Sequence, residues 1–171
     1  MQIFQNRNND TFKQTLIKGQ AGEIAFQKYC TSKNIILLDV RTDKAYQKLD
    51  IDFVGNNGLR YEVKTEFVYG KYLYRTQRFY IEDIQSQSIN SDGWYRYCQA
   101  NVIINYDAVN SILYMFKLID LKEYIDKFYM VDEKKVTYCK LQKGSCGYLV
   151  YIKPFFEWLQ SNKRYNEAVK Q

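Results

Sequence analysis

Leu49-Asp50-Ile51-Asp52-Phe53-Val54-Gly55-Asn56-Asn57-Gly58-Leu59-Arg60-Tyr61-Glu62-Val63-Lys64-Thr65 is the stretch that decides the fold. Two β-rich runs, 49–54 and 59–67, flank Gly55-Asn56-Asn57-Gly58. Asn-Gly between such runs predicts a hairpin, because both residues tolerate the positive φ that tight turns need. Side chains alternate along a strand, so Glu62 and Lys64 share one face while Tyr61, Val63 and Thr65 share the other. Asp50 and Asp52 likewise share a face of the preceding run. Closing the hairpin gathers aspartate, glutamate and lysine on one surface. Such charges are costly to bury beside apolar strands unless they bind a cation or each other.

Upstream, apolar residues Leu16, Ile17, Ala21, Ile24, Ala25 and Tyr29 recur at helical spacing and predict a helix over 10–33. Asp10 or Thr11 caps it, and Asn34 marks its end. Residues 35–40 read as a short strand and 72–84 as a long one. A loop with a helical turn near Trp94 fills 86–98, and 100–106 with 112–118 form a strand pair. Asp120 is read as the cap of a helix over 120–129. A second hairpin spans 136–139 and 147–152, and Pro154 opens a final helix, where its missing N–H costs nothing. Neither a repeat nor a linker divides the chain. The expectation is one domain over 1–171, with a core at about 10–130 and a C-terminal hairpin and helix over 131–171. Its class is α/β (α+β), a mixed central sheet flanked by helices.

Composition narrows the chemistry. The 171 residues include 25 Lys plus Arg against 19 Asp plus Glu, a net charge of +6 that suits a polyanionic partner. Histidine is absent, which excludes Ser-His-Asp and Cys-His nucleophiles, His general bases and His-ligated metals. The polar first residues lack the apolar core of a secretion signal, and no run approaches the roughly 18 apolar residues of a membrane span. A cytoplasmic, membrane-free protein is expected. There Cys30, Cys98, Cys139 and Cys146 read as core thiols rather than disulfides or a cluster.

Carboxylates and a lysine on one face suit Mg²⁺ (or Mn²⁺) chemistry on a phosphodiester. Mg²⁺ takes hard oxygen ligands and keeps several waters, so an acidic pair suffices, with the main-chain carbonyl of Val63 as a further ligand. Lys64 is suited to orienting water and neutralising charge on phosphorus. Histidine has no part in this.

Asp52 standing ten residues ahead of Glu62-Val63-Lys64, the phrase Ile51-Asp52-Phe53-Val54, and Gly19-Gln20-Ala21-Gly22-Glu23 on the first helix together resemble the PD-(D/E)XK nuclease superfamily. The resemblance covers 19–65 and implies a restriction-endonuclease-like core. It implies Glu23 as a helix-borne acid, Asp52 and Glu62 as metal ligands, and Lys64 as the catalytic lysine. The family's proline is missing, since Leu49 and Ile51 precede the two aspartates. Asp52 is favoured as ligand because the apolar run follows it directly, and Asp50 stands as the alternative or an outer ligand. A weaker likeness to phage-type members runs through 76–82, Gly93-Trp94 and 100–104, and implies accessory roles for Glu82 or Gln99. The family implies DNA as the substrate, and its junction- and palindrome-cutting members form homodimers.

Tyr74, Arg75 and Arg78 belong to a stripe of interleaved aromatic and basic residues suited to stacking bases and contacting phosphates. The competing reading is a non-catalytic nucleic-acid-binding module on the same scaffold. The intact acidic set with Lys64 favours the enzyme.

Overall fold

The computed structural model describes residues 12–66, 77–141 and 144–171, with side chains of the first helix given from residue 19. That helix, α1 (Phe12–Ser32), precedes strand β1 (Leu37–Asp39) and a short helix α2 (Lys44–Gln47). Then come β2 (Phe53–Gly55), β3 (Arg60–Glu66), β4 (Arg78–Ser86), β5 (Ser91–Asp92) and helix α3 (Trp94–Tyr97). Strands β6 (Val102–Asp107) and β7 (Ile112–Lys117) lead into α4 (Leu118–Phe128). Strands β8 (Val136–Lys140) and β9 (Cys146–Tyr151), helix α5 (Ile152–Ser161) and β10 (Asn166–Lys170) complete the chain.

Two sheets form. The larger is mixed, in the order β1-β2-β3-β6-β7-β10, and only its β3–β6 pair is parallel. The smaller is antiparallel, in the order β5-β4-β9-β8. Alternation along β6 divides the core. Val102 and Ile104 pack with Phe26, Phe53, Tyr61 and Val63 beneath α1. Ile103 joins Phe79, Ile81, Phe116, Tyr124, Val150 and Phe155, between the large sheet and the small sheet with α4 and α5. Fully buried aromatic rings interlock there: Phe116 and Phe155 lie 5.1 Å apart, and Tyr124 and Phe155 4.9 Å. Such rings bring both area burial and edge-on contacts.

The Asn-Gly hairpin forms as a three-residue loop. Gly58 donates to Gly55 O at 2.9 Å, Gly55 donates to Leu59 O at 2.8 Å, and Gly58 takes φ +77°. This is a turn followed by one left-handed residue, a common alternative to the two-residue loop.

Several expectations shift. The strand read at 49–54 is confined to Phe53–Gly55, because 46–51 make a helix-terminating cap: Ile51 donates to Tyr46 O and Asp50 to Gln47 O, each at 3.2 Å. Asp50 sits at φ +53°, where glycine usually stands in this motif. Asp120 is not the cap of α4. Lys117 holds that position without a side-chain bond, while Asp120 accepts from Arg164 at 2.7 Å. Ile24, read as apolar helix face, is 50% exposed. The strand β10 after the last helix was not expected, and it closes the large sheet on β7. Asp10, Thr11, Tyr74 and Arg75 lie outside the described residues. Among those described, no helix is long and apolar enough to cross a membrane.

Candidate active site

Lys64 is the hub. Its Nζ lies 2.6 Å from Glu62 Oε1 and 2.7 Å from Asp50 Oδ2. Strand alternation puts Glu62 and Lys64 on the face of β3 turned toward the small sheet, and the left-handed turn at Asp50 swings its carboxylate to meet them. Glu62 is only 5% exposed. Asp52 joins from the other arm of the hairpin, its Oδ2 accepting the Val63 N–H at 2.9 Å.

Electrostatics follow from burial. Desolvation pushes the Glu62 carboxyl well above its usual range, and the nearby Asp52 and Asp50 add to this against the pull of Lys64. Asp52 is likewise raised, by burial first, although the Val63 N–H and Lys64 favour its charged form and Asp50 opposes it. Burial alone would weaken the ammonium of Lys64, but Glu62 and Asp50 outweigh it and hold the group charged. Two carboxyls short of positive charge beside one lysine form a site that a further cation would relieve.

Main-chain geometry supplies another oxygen. Arg60 O and Glu66 O accept from Asn101 and Ala108 on the β6 side. Tyr61 O accepts from Asp52 N, so odd-numbered residues of β3 turn their backbone groups toward β2. The N–H and C=O of one strand residue point the same way. The Val63 carbonyl therefore faces the side on which Asp52 lies, just where the paired residues of β2 end. Among the described residues, no three His, Cys, Asp or Glu side chains converge to enclose an ion by themselves. Asp52, Glu62 and the Val63 carbonyl are the oxygen donors available at this end of β3, of the type a hard divalent cation takes.

The remaining residues named from sequence divide. Glu23 is paired with Arg41, which also donates to Asp39 at 2.9 Å and lies over the Phe53 ring. No described contact joins Glu23 to the Asp52–Glu62–Lys64 group. Its neighbour Gly22 has a packing role: a Cβ there would stand 2.3 Å from Thr65 Oγ1, so only glycine lets α1 approach β3 this closely. Glu82 accepts from Ser145 at 3.1 Å. Gln99 is exposed and docks through its backbone on Leu49 O at 2.9 Å. Arg78 lies over the Tyr151 ring at 4.4 Å, packed into the small sheet.

Three neighbours were not singled out from the sequence. The Trp94 ring lies 5.1 Å from Lys64 Nζ. Cys98 Sγ donates to Asp50 O at 3.4 Å. Tyr97 is 42% exposed, and after burial it is Asp50, Glu62 and Glu82 that raise its phenol, against Lys64, which places it at the rim of the cluster. The helical turn predicted at Trp94 was the available signal, but its meeting with Lys64 joins residues far apart in sequence.

No protein-family model matches the chain, and no curated protein matches it. Among solved structures, that of a bacterial homing endonuclease, I-Ssp6803I, is similar over 87% of this chain and 95% of that one, at 16% sequence identity and a TM-score of 0.46.

Proposed function

We propose that the protein is a metal-dependent nuclease of the PD-(D/E)XK type that hydrolyses DNA phosphodiester bonds, an endonuclease of a phage or mobile element. The observation that carries this reading is the group formed by Asp52, Glu62 and Lys64 around one end of β3, with Glu62 buried and Lys64 held at 2.6 Å from it.

Asp52, Glu62 and the Val63 carbonyl would hold Mg²⁺ or Mn²⁺. Bound there, such an ion supplies charge against the phosphate oxygens and lowers the pKa of a coordinated water. The chain's own residues do the rest. Asp52 is fixed by the Val63 N–H, so its carboxylate is oriented before substrate arrives. Lys64 presents a charged ammonium to the water and to the charge building on phosphorus. Water adds to phosphorus, the P–O bond to one sugar breaks, and that oxygen leaves with a proton. The net charge of +6 favours approach of a polyanion.

The test is cleavage of plasmid and branched DNA with Mg²⁺, with Mn²⁺ and with EDTA. Cutting with either metal and none with EDTA is expected, and Lys64→Ala should abolish most of it. Binding without cutting of any DNA form under both metals would support the non-catalytic module instead.

A further inference from the structure

Lys64 has three N–H donors, and Asp50 and Glu62 take two of them. A dication bound at Glu62 competes for the carboxylate that the ammonium now holds and repels the ammonium itself. The side chain of Lys64 is 26% exposed, with the Trp94 ring on one flank, so the released donor needs an acceptor close to where it stands.

The neighbouring strand carries an acceptor at the same register. Asn105 on β6 is the Cα partner of Lys64 in the parallel pair, with strands about 4.8 Å apart. It interrupts an otherwise apolar run, Val102-Ile103-Ile104, in a strand buried along its length. Asn105 is 2% exposed, and among the described residues its Oδ1 has no hydrogen-bond partner. An unpaired buried polar atom is costly to keep, so its retention calls for a reason. The other such atoms among the described residues differ in setting: Tyr124 Oη is enclosed by aromatic rings, and Arg78 is stacked on Tyr151.

We infer that Asn105 is a positioning residue for Lys64, its amide oxygen taking up the ammonium donor released when a divalent cation claims Glu62. This rests on the nuclease reading above. Asn105 touches neither metal nor substrate in this role. It keeps Lys64 at the site after the exchange of partners.

The test is a double-mutant cycle read by calorimetric titration with Mn²⁺ alone, on wild type, Asn105→Leu, Lys64→Met and the double variant. Asn105→Leu should weaken Mn²⁺ affinity about tenfold when Lys64 is present and leave it unchanged in the Lys64→Met background. Its thermal midpoint should not fall, because the unpaired amide oxygen is replaced by an apolar group on a side chain with the same branching. Equal losses in both backgrounds, or no loss with Lys64 present, would overturn the inference. If Asn105→Leu does not fold, Asn105→Ala carries the same cycle, and Asn105→Ser should recover part of the lost affinity. Mn²⁺ binding that ignores Asn105 defeats this role alone, whereas no Mn²⁺ binding by wild type defeats the site reading with it.

Discussion

The main-chain N–H of Val63 donates to the Asp52 carboxylate at 2.9 Å, tying the side chain of one hairpin arm to the backbone of the other. Asp52 is thus both a structural acceptor and a candidate ligand, and two substitutions separate the roles. Asp52→Asn keeps an acceptor for Val63 and should fold with near-native stability. Its metal-dependent cleavage should fall on the order of a thousandfold, since several kcal/mol of charge stabilisation goes with the ligand. Asp52→Ala should lose the activity and also about 1 kcal/mol of stability in urea denaturation. Equal activity of Asp52→Asn and wild type would remove Asp52 from the site.

Gly19 and Gly22 lie three residues apart on α1 with opposite expectations. A Cβ at Gly22 would meet Thr65 Oγ1 at 2.3 Å, Tyr106 Cβ at 3.1 Å and Val63 Cγ1 at 3.2 Å, while one at Gly19 meets nothing within 4 Å among the described residues. Gly22→Ala should destabilise by about 1–3 kcal/mol through overpacking. Gly19→Ala should stabilise by about 0.5–1 kcal/mol through helix propensity. Thermal unfolding of both variants decides it, and two shifts of the same sign would contradict the packing of α1 on β3.

Glu66 gives a pH signature. Burial first, then Asp107, raises its carboxyl to about 7. A carboxyl raised in the folded state favours folding while protonated, so its contribution is full below its ordinary 4.5 and is lost as pH climbs through about 7. Relative to Glu66→Gln, wild type should lose about 3 kcal/mol between about pH 4 and pH 8. Denaturation curves measured across that range check it, and parallel pH profiles for the two proteins would contradict it.

The hairpin was legible because its signals are local: Asn57-Gly58 sets the turn, and alternation alone puts Glu62 and Lys64 on one face. The meeting of Asp50 with Lys64 was only partly legible. The run 49–54 reads as a strand, yet the backbone caps a helical turn there, and aspartate tolerates the left-handed conformation at Asp50 well enough to stand in for glycine. Glu23 was named through its Gly-Glu setting, but the clearest structural consequence of that motif belongs to Gly22. The Trp94 ring meets Lys64, and Asn105 stands at its register on β6, only through pairings between segments distant in sequence that no local pattern encodes. Strand β10 is short, polar and at a sheet edge, so its sequence carries little periodic signal.

The proposed nuclease stands or falls on Asp52 and Glu62 together holding a divalent cation. The most direct measurement is anomalous diffraction from crystals of the protein grown with Mn²⁺. A peak between the carboxylates of Asp52 and Glu62, within ligand distance of the Val63 carbonyl and absent in Glu62→Gln, is the result predicted. A fully loaded crystal with Lys64 still bridging Glu62 and Asp50, and no peak beside Asp52, would contradict it.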